Sequence, residues 1–582
     1  MIVNLPEVLP LDKLPQFYFG DAEAIRDDLL TNPFCFCRIK PVQTFLSGRN
    51  NIIVGEKGTG KSALFRLLSE GKMSFRDQPY KKQVVIPIEA DNNLVLLKQI
   101  VLKYITLSGV TDKTSLTKYR IAWEMFILFR ILDCLAQQVP TLTKDLRAKV
   151  DLFKCSFTYS TKYTVADWFK SLKATVGVKL NAANPLVQDF YAKVEPGESA
   201  LSKEENNANR MIQVELSIDD TKRELQEFLQ QAGIGVYVLY DKLDEFVIKE
   251  AYDAQKNILQ ALLLCEASYY GFPNMKHYIF LRTDLFDRLD FDQLGSDKVY
   301  SRRIELVWDK SDIIDFISKR ICYNYFNILG LKEIQVSIDK DQLFIDENRK
   351  SYDEDVPKPP RAKLKWLRRF IPKQLKPLLR RLVYGRRPAH RRRVTNLTDE
   401  LNMAVIGSLF PDTVKHKDKN GAEHDIKFGE YVITHTATGG GATNPRIVIL
   451  FLNKLFSRAR AFYDLNRDLA VLSQKDGRYP LFKDEIVLSA YEDFRATMLE
   501  IFIKLVEIWK DWLMQFVSKK GNRHSFTYDQ IRDLLEVDRK KEADFRRFLA
   551  FLNHVGFLCT KDTYKDYSLR KYSLPIVFQS VQ

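Results

Sequence analysis

The sequence of 582 residues is poor in cysteine and lacks the patterns that cysteines form in metal sites and secreted domains. Its seven cysteines include no C-x-x-C pair, and Cys35 and Cys37 lie too close together and without further partners for a zinc site. The amino-terminal residues carry no basic stretch ahead of an apolar one, and no window holds about eighteen uncharged apolar residues. From these absences we expect no disulfide scaffold, no signal peptide, no transmembrane segment and a cytoplasmic location.

Acidic residues are missing from one long segment, and that segment carries the excess positive charge. Fifteen Lys and Arg, and no Asp or Glu, lie between Lys358 and Arg393, whereas the whole chain has a net charge of +15. Fifteen minus fifteen leaves the remainder formally neutral. Any affinity for a polyanion is therefore a property of residues 358–393 and not of the protein as a whole.

The most specific motif is G-x-x-x-x-G-K-S, preceded by the apolar strand Asn51–Val54 and followed by an apolar helix. Glycines let the backbone turn without Cβ clashes, so that amide groups and a helix N-terminus converge on one anion. We expect Lys61 to reach the β and γ phosphates of a nucleotide and the Ser62 hydroxyl to bind Mg²⁺. A chance glycine-rich turn is the alternative. The residues predicted to bind the nucleotide are Gly55, Gly58, Thr59, Gly60, Lys61, Ser62 and Ala63.

Two further strands are predicted at Gln83–Glu89 and Gly235–Tyr240. A crossover between parallel strands needs only a dozen or so residues, so the interval predicts a helical insertion at about 91–230. Asp241, at the end of the later strand, is expected to hold Mg²⁺.

The residue after Asp241 departs from the arrangement expected of an ATPase. Many ATPases place a glutamate there to activate the attacking water, and this chain has Lys242. Asp244 or Glu245 must then be the activating base, or hydrolysis is slow. Alternatively, Asp244 merely caps the next helix.

Another predicted strand, His277–Leu281, is followed by Arg282 and Thr283. A polar group there would lie between the γ phosphate and the metal carboxylate, and Thr283 or Arg282 could sense hydrolysis; an ordinary turn is the alternative. Arg302 and Arg303 precede the last strand of the same sheet. They are predicted either to reach a neighbouring subunit's nucleotide or to form a solvated basic pair.

The sequence Asp241-Lys242-Leu243-Asp244 is similar to the guanine-reading [NT]KxD motif of GTPases. A GTPase also needs a DxxG switch, and none lies between Ser62 and Tyr240. The LSGGQ signature of ABC-type ATPases is absent as well. Adenine is therefore the predicted base.

Taken together, these motifs resemble those of AAA+/STAND-type P-loop ATPases. They are most similar to bacterial ATPases related to origin-recognition and KAP-like proteins, often found in phage-defence and mobile-element settings. In that family a G-[DN]-x-R-like turn opens a lid helix whose arginine contacts the γ phosphate, and Gly440–Arg446 matches this turn. The resemblance covers residues 17–325 and 428–582 and departs at Lys242 and in the insertion. It implies the catalytic set Lys61, Asp241, Asp244, Glu245, Thr283 and Arg446, with Ser62 and Asp241 on the metal.

Within the basic segment 358–393, leucines and isoleucines recur every three or four residues and prolines interrupt. The pattern predicts a broken, basic, amphipathic helix pair. Three roles stay open: a nucleic-acid clamp, an anionic membrane surface, or a lid whose charges are simply solvated.

The end of the chain, residues 518–582, predicts two short helices and a hairpin, which is the outline of a winged helix. Such a module reads DNA or docks a protein. If its second helix enters a groove, the cations facing phosphate are Arg539, Lys540, Lys541, Arg546 and Arg547.

The predicted fold is α/β: a P-loop NTPase with an ASCE-type parallel sheet, a large helical insertion, a helical lid and a C-terminal winged helix. The predicted domains are an entry segment 1–50, an ATPase core 51–325, a lid 326–440, a helical domain 441–517 and a winged helix 518–582. The predicted function is ATP hydrolysis with Mg²⁺, coupled to DNA in antiviral defence or DNA maintenance. The alternative is a nucleotide-gated scaffold that oligomerises and recruits an effector protein.

Overall fold

The computed structural model divides the chain into two compact units. The sheet unit is Lys40–Leu306, and the terminal unit is Met1–Ile39 with Val307–Gln582. The finer domain boundaries expected from the sequence stay predictions. The structure describes residues 13, 16–32, 35–75, 80–89, 115–150, 218–243, 252–287, 289–291, 295–338, 341–346, 351–356, 390–394, 399–417, 422–439, 443–466, 482–505, 509–560 and 566–579.

The sheet unit alternates strands and helices along the chain. Its elements are α1 (Lys40–Leu46), β1 (Ile52–Gly55), α2 (Lys61–Ser69), β2 (Lys82–Glu89), α3 (Ser115–Gln138), α4 (Ile218–Ala232), β3 (Ile234–Asp241), α5 (Tyr252–Ala267), β4 (Met275–Arg282), α6 (Thr283–Phe286), α7 (Ser296–Arg302) and β5 (Arg303–Glu305).

The five strands form one parallel sheet in the order β2-β3-β4-β1-β5. All residues of β1 and β3 are buried, as expected for strands covered by helices on both faces. Strand β4 lies between β1 and β3, so the strand before the P-loop and the strand ending in Asp241 are not neighbours. This sheet confirms the predicted α/β P-loop NTPase fold.

Helices α3 and α4 lie within the predicted insertion, and both pack against the core of the sheet unit. Trp123 of α3 is 1% exposed and donates from its indole Nε1 to the carbonyl oxygen of Ile258 in α5 at 3.0 Å. Leu225 and Leu229 of α4 are fully buried in the same core. Residues 144–150 of the insertion are also helical, whereas residues 91–114 and 151–217 lie outside the described residues.

The terminal unit combines helices with small antiparallel sheets. Its elements are α8 (Lys310–Asn327), β6 (Glu333–Ile338), β7 (Asp341–Asp346), β8 (Ser351–Val356), β9 (His390–Val394), α9 (Asp399–Gly407), β10 (Thr413–Lys417), β11 (Glu423–Lys427), α10 (Phe428–Thr436), α11 (Pro445–Leu465), α12 (Asp484–Leu505), α13 (Lys510–Lys519), β12 (Ser525–Thr527), α14 (Tyr528–Leu534), α15 (Glu542–His554) and β13 (Lys571–Ser573).

Residues 326–440 do not form the purely helical lid that the sequence predicts. Strands β6 to β9 make a four-stranded antiparallel sheet, and β10 and β11 form a hairpin. The basic segment is also corrected at its end, because His390–Arg393 belong to strand β9 and pair with β8. The predicted helix pair rests on apolar residues between 364 and 382, which the structure does not describe, so it stays a prediction. Residues 357–389 lie outside the described residues.

Side chains of α8 and α11 bind the backbone of the amino-terminal segment within the terminal unit. Arg320 of α8 is 1% exposed, and its Nη2 donates to Asp27 Oδ2 at 2.7 Å. The Asn324 side chain binds both backbone groups of Tyr18. Its Oδ1 accepts from the Tyr18 amide at 2.8 Å, and its Nδ2 donates to the Tyr18 carbonyl oxygen at 2.9 Å. From α11, Asn453 donates to the carbonyl oxygen of Gly20 at 3.0 Å. Residues 17–27 are therefore an integral part of this unit.

The last part of the chain has the element order helix, strand, helix, helix, strand. Strand β12 pairs antiparallel with β13, and Cys559 forms an isolated bridge with Ser573 of β13. Residues 561–565 between them lie outside the described residues. The two short helices expected for 518–582 correspond to α14 and α15, whereas strand β12 was not expected, and the assignment as a winged helix stays a prediction. Across the described residues, no helix combines the length and apolar character needed to cross a membrane.

We predict that Gly439→Ala destabilises the terminal unit. A Cβ atom at residue 439 would lie 2.3 Å from the carbonyl oxygen of Leu558 and 2.9 Å from Gly556 Cα, and both are backbone atoms. Overpacking of this kind costs about 1–3 kcal/mol, which urea unfolding followed by circular dichroism should detect. Gly271→Ala is the matched control, because nothing lies within 4 Å of that position. Equal stability of the two variants would contradict the prediction.

Candidate functional site

The loop between β1 and α2 has the backbone geometry of a phosphate-binding loop. Gly58 and Gly60 have φ angles of 94° and 98°, a region that L residues with side chains rarely adopt. A Cβ atom on Gly55 would lie 2.6 Å from Thr59 Oγ1, so the loop start has no room for a larger residue. Helix α2 begins at Lys61 with Gly60 as a cap that provides no side-chain hydrogen bond. This agrees with the predicted role of the motif, which is to present backbone amides to an anion.

Lys61 is folded back onto its own loop. Its Nζ donates to the carbonyl oxygens of Gly55 and Glu56 at 2.7 and 2.8 Å, and the residue is 8% exposed. Thr59 Oγ1 donates to the same Glu56 oxygen at 2.9 Å. Two of the three N–H donors of the ammonium group are therefore used within the loop.

Two carboxylates end neighbouring strands at the edge of the sheet where the loop begins. Asp241 is the last residue of β3, and Glu89, the last residue of β2, is its register partner. Asp241 is 3% exposed, whereas the Glu89 side chain is 30% exposed. Lys242 Nζ lies 3.3 Å from Glu89 Oε2. In the sequence Glu89 appeared only as the end of a strand, because its neighbourhood depends on a register between distant segments.

Strand β4 ends between the loop and Asp241, and the hydroxyl of Thr283 follows directly. Thr283 Oγ1 is buried and has no hydrogen-bond partner among the residues that the structure describes. Arg282 instead forms a two-point ion pair with Asp284, from Nε to Oδ1 at 2.9 Å and from Nη2 to Oδ2 at 3.0 Å. Of the two candidate sensors, Thr283 is the one with an unused donor, while the charge of Arg282 is balanced within its own turn.

The other predicted site residues are Ser62, Ala63, Asp244, Glu245 and Arg446. Ser62 and Ala63 are the second and third residues of α2, and Asp244 and Glu245 lie outside the described residues. Arg446 lies in the first turn of α11 in the terminal unit, where its Nε donates to the carbonyl oxygen of Ala22 at 3.0 Å. Burial lowers the pKa of its guanidinium. Its predicted contact with a γ phosphate stays a prediction.

Arg302 and Arg303 do not lie at the edge of the sheet that carries the loop. Arg302 ends α7, and Arg303 begins β5, which runs parallel to β1 with Arg303 as the register partner of Ile52. Arg302 Nη1 lies 2.6 Å from Glu266 Oε2, and Glu266 is 3% exposed. The predicted solvated pair is therefore wrong for Arg302, which is bound to a buried carboxylate. The predicted contact with a neighbour's nucleotide stays a prediction.

The oxygen donors at the loop edge suit a magnesium–nucleotide complex. Among the described residues, no group of three or more His, Cys, Asp or Glu side chains could hold a metal ion by itself. Ser62 and Asp241 offer one hydroxyl and one carboxylate. Mg²⁺ commonly binds one or two protein oxygens together with waters and substrate phosphates. The donor set therefore fits a metal that arrives with its nucleotide.

Known proteins show only low sequence identity to this chain. No protein family model matches the chain. A protein of Escherichia coli (strain K12), described as a putative transposon gamma-delta 80.3 kDa protein, is 24% identical over 314 residues, which cover 52% of this chain and 39% of that protein. A solved structure of the Aeropyrum pernix ORC2 protein, with ADPNP and ADP, is 11% identical at a TM-score of 0.34, covering 92% of this chain and 87% of that one. The P-loop NTPase fold of the sheet unit therefore rests on its own strand order and loop geometry.

We predict that the buried carboxyl group of Glu266 gives the sheet unit a pH-dependent stability. Burial raises the pKa of Glu266 to about 7, against the opposing effects of Arg302 and an Asn51 hydrogen bond. The folded state then holds this proton more tightly than the unfolded state, whose pKa is near 4.5. Stability from this group is complete below pH 4.5 and is lost as the pH rises to about 7.

Unfolding free energies measured by urea titration from pH 4.5 to 8 should therefore fall by up to about 3 kcal/mol relative to those of Glu266→Gln. Glu305→Gln is the control, because Glu305 forms an exposed ion pair with Arg303. Parallel pH curves for the wild type and Glu266→Gln would contradict the prediction.

Proposed function

We propose that the chain is an AAA+/STAND-like ATPase that binds ATP with Mg²⁺, hydrolyses it and couples the nucleotide state to DNA. The observation that carries the proposal is the strand order, which brings the P-loop, Thr283 and Asp241 to one edge of the sheet. Neighbouring strands are about 4.8 Å apart, so β1 and β3 leave a gap of roughly 10 Å that β4 bridges. A γ phosphate at the loop would lie over the end of β4.

Each residue at this edge has a role that suits its chemistry. The backbone amides of residues 58–63 bind the phosphates, and Lys61 exchanges its two carbonyl partners for β and γ phosphate oxygens. Ser62 and Asp241 hold the magnesium ion, which when bound neutralises charge on the phosphates. Thr283 donates its buried hydroxyl to the γ phosphate. Asp244 and Glu245 remain candidates for the residue that activates water, and Arg446 for a second reader of the γ phosphate.

The carboxyl-terminal module supports engagement with DNA. The side chains of Arg546 and Arg547 on α15 are 53% and 75% exposed. The guanidinium of Arg570 lies 3.9 Å from the ring centroid of Tyr567, and that of Arg546 lies 5.7 Å from the same ring. We infer a winged helix in which α15 enters a groove while Arg546 and Arg570 bind phosphates on either side of Tyr567. The basic segment 358–393 would add cations on a nucleic acid or an anionic membrane surface.

The similarity to a protein named for a transposon fits a role in DNA maintenance or antiviral defence in the bacterial cytoplasm.

A second candidate is a nucleotide-gated scaffold that oligomerises and recruits an effector protein. Two observations favour it. Lys242 stands where many ATPases have a glutamate, which is consistent with slow turnover. On α15, Arg546 lies 3.4 Å from Glu542 and Arg547 lies 3.5 Å from Asp544, so part of its positive charge is balanced.

We expect purified wild type to bind a fluorescent ATP analogue and to hydrolyse ATP faster in the presence of double-stranded DNA. Lys61→Ala should lower nucleotide affinity about 10- to 100-fold, because it removes charge-assisted bonds to phosphate, and should abolish the stimulated turnover. Lys72→Ala is the matched control, since Lys72 is a surface lysine paired with Glu70 at 2.6 Å.

Three outcomes separate the candidates. DNA-stimulated turnover that depends on Lys61 supports the DNA-coupled ATPase. Turnover that DNA leaves unchanged favours the scaffold. Wild type that fails to bind ATP contradicts both, because both begin with a nucleotide in the P-loop.

A further inference from the structure

Glu89 stands beside the predicted metal carboxylate although its own segment shows no motif. It ends β2, and its register partner is Asp241 at the end of β3. Side chains at the carboxyl ends of adjacent parallel strands lie at the same edge of a sheet, where ligands bind in open α/β folds. With 30% of its side chain exposed, Glu89 is accessible to water, whereas Asp241 is 3% exposed.

Lys242 connects these two strand ends through an uncommon backbone conformation. Its φ angle is 56°, in the left-handed region, which costs a residue with a side chain about 1–2 kcal/mol. The Lys242 side chain is 15% exposed, and its Nζ lies 3.3 Å from Glu89 Oε2. Strain of this kind clusters at functional sites, where surrounding structure maintains it. The left-handed turn keeps the ammonium group near the carboxylate of the neighbouring strand.

We propose that Glu89 is the carboxylate that orients and deprotonates the attacking water, and that Lys242 is a positioning residue that holds Glu89 for this step. The inference rests on the proposed ATPase function and deepens it. Many ATPases place the water-activating glutamate on the residue after the metal aspartate. In this chain that residue is the cation Lys242, and the carboxylate beside it comes from the adjacent strand.

The step balances with water and ATP alone. The water oxygen forms a bond to the γ phosphorus, while the bond from that phosphorus to the β,γ-bridging oxygen breaks and leaves its electron pair on ADP. The water gives one proton to the Glu89 carboxylate, which later releases it to solvent. Lys242 neither gains nor loses a proton in this step; it restrains the carboxylate.

The first test is Glu89→Gln, which keeps the shape of the side chain and removes the base. We expect ATP affinity to stay within about threefold of wild type, and kcat to fall about 10²- to 10⁴-fold, the usual contribution of a general base. The acidic limb of the kcat–pH profile should also disappear. Glu70→Gln is the matched control, because Glu70 is 35% exposed and paired with Arg66 and Lys72 away from the sheet edge.

The second test exchanges the charges and does not depend on how well Glu89→Gln folds. Glu89→Lys alone should abolish turnover, because it leaves two cations side by side. The double variant Glu89→Lys with Lys242→Glu restores the pair and places the carboxylate after Asp241. We expect its kcat to exceed that of the Glu89→Lys single variant at least tenfold, with ATP affinity unchanged.

Several results would overturn the inference. One is a Glu89→Gln variant that keeps wild-type kcat or its acidic limb, and another is a double variant no faster than Glu89→Lys. Loss of the acidic limb in Asp244→Asn or Glu245→Gln, but not in Glu89→Gln, would place the base elsewhere. Wild type that binds ATP without turnover also overturns the inference and leaves ATP binding intact. Wild type that binds no ATP is instead a failure of the proposed function.

Discussion

The parallel direction of all five strands is the constraint on which the candidate site depends. Because the carboxyl ends of all five strands lie at one edge, residues that are distant in sequence meet there. They are the P-loop after β1, the hydroxyl of Thr283 after β4, Asp241 on β3 and Glu89 on β2. Strands β1 and β3 are buried throughout, so a change of their register would move polar strand ends into the core. The packing of the strands therefore determines which side chains lie together at this edge.

Two lysines at this edge are held by oxygen atoms of the protein itself. Lys61 Nζ binds the carbonyl oxygens of Gly55 and Glu56, and Lys242 Nζ lies beside the carboxylate of Glu89. A triphosphate offers Lys61 charged oxygens in place of neutral carbonyl oxygens, and charge-assisted hydrogen bonds are roughly twice as strong as neutral ones. The proposed contact of Lys61 with a phosphate is therefore stronger than its hydrogen bonds to the neutral carbonyl oxygens.

Elements that carry a local sequence motif could be predicted from the sequence, whereas side-chain neighbours that depend on pairing between distant strands could not. The P-loop and Asp241 follow strands whose apolar runs are legible, and the structure places them as expected. Glu89 was missed because its position depends on the register between β2 and β3. The partner of Arg302 was missed because Glu266 comes from α5, which is distant in sequence. Strands β6 to β9 were not predicted, because segments such as Ser351–Val356 contain acidic residues and show no alternation of apolar and polar residues.

Within the terminal unit, the helix that carries Arg446 is joined to both ends of the chain by hydrogen bonds. Arg446 Nε is bound to the carbonyl oxygen of Ala22, and the loop before α11 meets the turn after α15 where Gly439 donates to the carbonyl oxygen of Gly556 at 2.8 Å. At Gly439 the backbone of the two segments approaches too closely for a single Cβ atom. Because packing this tight does not accept added volume without a shift of the backbone, the contact fixes residue 439 against the turn after α15.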